Sequence, residues 1–301
     1  MTDRALPRIV AIDGAVEICR SGNLCTGWSK DALQVKFDQQ YWALPAQQST
    51  RKAEWERNFS FERNDQKIAL RNIMYDRGHA PILRLQATSW KEVRPLHIGA
   101  PVSMQEQIRV AAGACEFLLP NICVVHVIAT TQDGWALSFK RGQHSHYHPG
   151  AWSTTYEEGL SPEDLRGGGL FHEAARRGLA EEISAELLSV PLNSFKVISV
   201  IVETALCNPA VVVVAELPIT LSQLPTSRPS DELEAHSQVA IPLELKPLRD
   251  FMLTSKIGHD GANIGSHHPT SRYRLLMLVA RHFGETAASD ILRGMRAQSQ
   301  E

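Results

Sequence analysis

Paired cysteines are missing from this 301-residue chain: Cys19, Cys25, Cys115, Cys123 and Cys207 are scattered, and none forms a CxxC pair. An odd, dispersed set argues against a disulfide framework or a zinc ribbon and fits reduced thiols. Positive charge is not in excess either, since 31 Lys and Arg stand against 33 Asp and Glu, for a net charge of -2. No strong basic field draws nucleic acid by counterion release. Long hydrophobic runs are absent as well. The stretches beginning at Ile122 and Ala210 fall far short of the roughly 20 residues a spanning helix needs. Met1–Val16 has no basic segment followed by an apolar run, so a secretory signal is not expected. The expectation is a cytoplasmic protein with no membrane partner. GxSxG, P-loop, GxGxxG and HExxH patterns are lacking too.

What is present suits a globular chain. Hydrophobic residues make up 43% and charged residues 21%, and the length allows one large or two modest domains. Residues 1–110 read as a mixed α+β region of open role. Within it, Arg8–Ile18 suggests a hairpin about Asp13-Gly14, Ala32–Leu44 a strand pair, Gln47–Asn58 a loop or exposed helix, and Ile82–Gln86 and Val93–Ile98 short strands. Met104–Leu118 has helix-forming composition. Residues 111–301 read as a second domain. Asn121–Thr131 and Trp135–Arg141 predict a strand pair about Asp133-Gly134, followed by a Pro- and Gly-punctuated loop. Then come a helix over Glu173–Leu188, strands at Phe195–Thr204 and Pro209–Leu217, a polar loop over Gln223–Glu234, and helices at Leu243–Leu253 and Thr270–Phe283. This order implies an α/β fold, a sandwich with a mixed sheet and not a doubly wound parallel one.

The helix at Glu173 carries the chemistry. In EAARRGLAEEIS, Ala174, Leu179 and Ile183 can face a core, while Glu181 and Glu182 project side by side and Arg177 lies four residues before Glu181. Neighbouring carboxylates repel unless a cation sits between them, and a hard ion such as Mg²⁺ takes carboxylate oxygens. The bland reading is a solvated surface helix.

These residues resemble the Nudix hydrolase box: Gly, five residues, Glu, seven residues, then Arg-Glu-apolar-any-Glu-Glu-any-Gly-apolar. Arg177, Leu179, Glu181 and Glu182 match it. Gly178 stands where a Glu is expected, Ser184 where a Gly is expected, and Gly169 where the first Glu belongs. Upstream, Pro149-Gly150-Ala151-Trp152 and Glu157-Glu158-Gly159-Leu160 look like the Gly-rich turn of that family, followed by an insertion over Ser161–Leu170. On that match Glu157 or Glu158 replaces the missing first Glu.

The resemblance implies a Nudix-like α/β/α sandwich and a hydrolase that cleaves the pyrophosphate bond of a nucleoside diphosphate linked to another group. It implies Mg²⁺ or Mn²⁺ held by Glu157 or Glu158 with Glu181 and Glu182. Glu232 or Glu234 would be a further catalytic carboxylate, and Lys140 or Arg141 would hold phosphate. Arg177 would orient Glu181. The expected partner is a small nucleotide-type substrate, with homodimerisation left open. Gly178 and Gly169 equally motivate a fold that kept a ligand and lost the chemistry. An allylic-diphosphate isomerase comes third, because AWSTTYEEGL stands where its cysteine segment would be. His144, His146 and His148 alternate and would share one face of an extended segment, suited to a metal, against a bland reading as a solvated loop. His267-His268-Pro269 precedes the last of these helices with no evident partner.

Overall fold

The computed structural model describes residues 11–12, 14–28, 33–46, 49–58, 65–74, 81–97, 110–111, 113–143, 145, 147–167, 169–225, 233–254, 256–257, 262–263 and 266–298. In chain order the first elements are β1 (Ala11–Ile12), β2 (Ala15–Arg20), β3 (Gln34–Tyr41), α1 (Ser49–Asn58), β4 (Gln66–Met74), β5 (Ile82–Ser89) and α2 (Trp90–His97). Then follow β6 (Val124–Thr130), β7 (Trp135–Arg141), β8 (Trp152–Ser153), β9 (Tyr156–Gly159), α3 (Leu170–Glu182), β10 (Phe195–Glu203) and β11 (Asn208–Glu216). The chain closes with β12 (Leu233–Pro242), α4 (Leu245–Thr254), β13 (Lys256–Ile257), β14 (Ala262–Asn263), α5 (Ser271–Phe283) and α6 (Glu285–Gln298).

The main sheet runs β1-β2-β10-β11-β6-β7-β12, with β8 on β7 and β9 on β6. It is mixed: β11 lies parallel to β6, while β10 runs antiparallel to both β11 and β2. The fold is thus α/β with helices on both faces. Val211 and Val213 pack toward α3, and Ala210, Val212 and Val214 pack toward α4, α5 and α6. A strand buried on both faces has to be apolar throughout, which is why Asn208–Glu216 contains an unbroken valine run. A smaller sheet, β3-β5-β4, adds Ile68, Leu70, Leu83 and Leu85 to the core on the α3 side.

Several elements differ from the sequence reading. Ala32–Leu44 holds one strand, β3, not two. Val93–Ile98 falls largely in the helix α2, because Val93 and Leu96 are buried at helical spacing and the Glu92 carboxylate accepts from the Leu44 amide at 2.7 Å. Of Met104–Leu118, residues 104–109 and 112 lie outside the described residues. The helix expected over Glu173–Leu188 starts earlier, at Leu170, and ends at Glu182, after which Ala185–Ser189 forms a separate 3-10 turn. β1 and β2 form the expected hairpin, and β2 extends the main sheet alongside β10. No helix among the described residues is long and apolar enough to cross a membrane.

Candidate functional site

β9 separates two polar clusters. Tyr156, Glu157 and Glu158 alternate across its pleat, as side chains on a strand do. Tyr156 packs in the core beneath α3, and its hydroxyl donates to the Ala175 carbonyl. Glu158 follows it to that face. Glu157 pairs in register with His126 of β6 and points to the other face, beneath α5.

On the α3 face the organising group is Arg177. Its guanidinium donates twice to Asp164, both at 3.0 Å, and once each to Glu181 and the Gly159 carbonyl at 3.1 Å. Glu158 lies 3.1 Å away. Asp164 in turn accepts from the Ser161 amide at 2.9 Å, so Arg177 fastens the segment between β9 and α3 onto the helix. Burial raises the Glu158 carboxyl above its usual range, against the lowering pull of Arg177 and Lys67. Glu182 is buried and Glu181 exposed.

Gly178 is explained by its neighbours. A Cβ there would meet the Tyr156 ring at 2.6 Å and the Glu158 Cβ and Cγ at 3.0 and 3.2 Å. The strand therefore fills the volume where the resembled box would place a glutamate. Glu158 approaches that place from β9 with its Cβ and Cγ, while its carboxylate lies 3.1 Å from Arg177.

On the α5 face Glu157 is held by two arginines. Arg141 reaches it at 2.5 Å, and Arg274 and the Ser153 hydroxyl also donate to it. Burial alone would raise this carboxyl. His268, Arg274 and Arg141 outweigh that effect and hold it well below the usual range. Arg274, fully buried, also donates to the carbonyls of Thr154 (2.6 Å), Tyr156 (3.2 Å) and Val127 (3.3 Å). Beside this clamp lie His126, His148, His268 and Glu203. His148 Nε2 is 3.2 Å from Glu203, His268 Nε2 3.9 Å and His126 Nε2 4.0 Å. Burial pushes the His126 imidazole down to about 3, with Arg274 adding to it, and pushes His268 well down too.

The expected residues are therefore divided. Glu158, Arg177, Glu181 and Glu182 gather about α3, while Glu157 and Arg141 lie on the opposite face. Lys140 is partly buried at the end of β7. Glu232 lies outside the described residues, as do His144 and His146, and of Glu234 only the backbone, on β12, is described. Among the described residues, the His, Cys, Asp or Glu group whose ligand atoms converge, within 4.8 Å, is His148, Glu203 and His268. Glu203 and His126 carried no sequence signal beyond being polar groups within otherwise apolar strands.

No family model matches this chain. No curated protein matches it. Solved structures similar to it include DR0079 from Deinococcus radiodurans, 14% identical with a TM-score of 0.35, over 51% of this chain and 80% of that one. A NUDIX hydrolase from Alicyclobacillus acidocaldarius is 13% identical with a TM-score of 0.38, over 57% of this chain and 97% of that one. These are distant likenesses to a Nudix-like fold, with TM-scores below 0.5. They bear on neither activity nor substrate.

Proposed function

We propose that this chain is a Nudix-like hydrolase that cleaves the pyrophosphate bond of a nucleoside diphosphate linked to another group. The observation that carries this reading is the place of Glu158, whose Cβ and Cγ stand where a side chain at residue 178 would project. Glu158, Glu181 and Glu182 offer oxygen donors only, the kind a hard divalent cation such as Mg²⁺ or Mn²⁺ takes. They would have to close on it, since they are not a converged group in the structure. Such a cation, when bound, lowers the pKa of a water and neutralises pyrophosphate charge. Arg177 positions Glu158 and Glu181 and anchors the loop before α3. Glu157 and Arg141 are occupied with each other on the far face and are left out of this set. Lys140 remains the phosphate-holding residue of the reading, and Glu232 or Glu234 the general base.

A second reading, a ligand-binding module that lost the chemistry, is favoured by Arg177 itself, which already bridges Glu158 and Glu181. Nucleotide sugars, dinucleotides and nucleoside triphosphates offered with Mg²⁺ and Mn²⁺ separate the two. The first reading expects nucleotide or phosphate release that the Glu181→Gln/Glu182→Gln double variant abolishes and Glu158→Gln reduces at least tenfold. Turnover retained in the double variant would sink it. Ligand binding with no turnover, and no rise in melting temperature with either cation, would establish the second.

A further inference from the structure

The geometry points to a second cation site, separate from α3: a single transition-metal cation of the Zn²⁺ class held by His148 Nε2, His268 Nε2 and a Glu203 carboxylate oxygen beneath α5. The three donors come from three elements: the loop before β8, the segment leading into α5, and the end of β10. Their ligand atoms lie within 4.8 Å of one another, with 3.2 Å from His148 to Glu203 and 3.9 Å from His268 to Glu203. A cation about 2.0–2.2 Å from each donor places tetrahedral donors roughly 3–3.5 Å apart.

Charge argues the same way. The two arginines nearest the cluster hydrogen-bond Glu157. Glu203, 4% exposed, hydrogen-bonds His148 and faces His268 and His126. A cation held between Glu203 and the imidazoles would give this buried carboxylate a coordinated partner. Two imidazoles and a carboxylate form a Zn²⁺-type donor set, unlike the all-oxygen set at α3.

The surroundings aim the ligands. His268 Nδ1 lies 3.1 Å from the Thr270 hydroxyl, which lies 2.9 Å from His126 Nδ1. His268 Nδ1 also accepts from the Thr270 amide at 3.3 Å and faces an Arg274 nitrogen at 3.5 Å, so these contacts fix the ring with Nε2 toward Glu203. A cation taken at Nε2 moves the ring proton to Nδ1, where the Thr270 hydroxyl can accept it. His148 has φ +49°, the left-handed region that non-glycine residues seldom occupy. The turn at Pro149 and Gly150 follows it, with the Ala151 amide donating back to the His148 carbonyl at 3.1 Å. That strained backbone directs the imidazole inward. His148 is also one-quarter exposed, which provides a route for entry and leaves a coordination position toward solvent.

The test uses the full chain stripped by a chelator and titrated with Zn²⁺ or Co²⁺ alone. The expected result is one saturable equivalent, a rise in melting temperature, and visible Co²⁺ absorption of a tetrahedral or five-coordinate site. His148→Ala, a change on a partly exposed loop, weakens binding at least tenfold, as does Glu203→Gln. His148→Cys retains Co²⁺ and adds a thiolate-to-metal charge-transfer band, a signal that loss of folding cannot mimic. Glu181→Gln/Glu182→Gln leaves Zn²⁺ binding unchanged, so a failure at α3 and a failure here are distinguishable. The proposal is overturned if no saturable Zn²⁺ binding occurs below about 100 µM, where the free energy is already weaker than roughly 5.5 kcal/mol. It is equally overturned if binding survives His148→Ala and Glu203→Gln, or is lost in the α3 double variant instead.

Discussion

The α3 face and the α5 face of the sheet both gather carboxylates around arginine, yet they treat charge differently. On the α3 face one partly exposed guanidinium, Arg177, serves Asp164, Glu158 and Glu181, and carboxylates outnumber it. On the α5 face two buried guanidiniums converge on the single carboxylate of Glu157. The first arrangement carries excess negative charge and opens to solvent through Glu181. The second neutralises Glu157 within the protein and leaves Glu203 to the imidazoles. A one-residue step along β9 separates the two environments.

The largest expected effect comes from removing the arginine at the heart of each face. Arg274→Met strips a fully buried cation from Glu157 and leaves three backbone carbonyls without their donor. The expected loss is about 3–5 kcal/mol. Arg177→Met removes a partly exposed cation whose partners can turn to water, and a loss of about 1–2 kcal/mol is expected. Urea unfolding of both variants measures the contrast. Equal losses would mean that the two faces do not differ as described.

Gly178→Glu sharpens the α3 side of the comparison. The substitution restores the residue of the resembled box, and a box merely lacking one carboxylate would gain activity. The volume is already filled by the Tyr156 ring and Glu158. The Tyr156 ring cannot easily yield, since its hydroxyl is bonded to Ala175. The expected outcome is destabilisation of about 1–3 kcal/mol with no gain in turnover. Adding Glu158→Ala recovers only part of the loss, because it clears one of the two obstructions. A stable, more active Gly178→Glu protein would show that Glu158 does not stand in for that glutamate.

Much of the framework was legible in the sequence because burial on both faces demands continuous apolar strands, and β6, β10 and β11 carry them. β4 and β12 went unread. β4 mixes polar residues into its apolar run, QKIALRNIM, and β12 begins amid a polar stretch that looks like a loop. α2 was misread because the apolar residues of WKEVRPLH are few and a proline interrupts them. At the site, the Arg177 and Glu181 pairing follows from helical spacing alone. The division of Glu157 from Glu158 follows from strand alternation, but only once YEEG is known to be a strand, and four residues after a turn give no periodicity to read. Of the imidazole cluster, His148 is marked by the alternating histidines of its loop and His268 by the His-His-Pro before α5, whereas His126 and Glu203 give no local signal. His126, Glu203 and His268 lie far apart in the chain and meet only because β6, β10 and the start of α5 converge.

The smallest effect tests whether burial or partnership sets the charge on the α5 side. Glu17, on β2, is as buried as Arg274's surroundings demand, but its partners are weaker: the Tyr273 hydroxyl at 2.6 Å and Arg20 at 3.5 Å. Burial therefore wins and raises its carboxyl, where Glu157 is lowered. A raised carboxylate pKa means that, above the unfolded value near 4.5, the folded state holds a proton the unfolded chain releases. Stability from this group is then lost as pH rises through that window, at about 1.4 kcal/mol for each unit of displacement. Glu17→Gln keeps an acceptor for Tyr273 and has no charge to desolvate. Its stability relative to the native chain should rise between pH 4.5 and 7.5, read from urea unfolding at several pH values. A flat difference, or one that falls with pH, would place Glu17 with Glu157 among the carboxylates whose partners overcome burial.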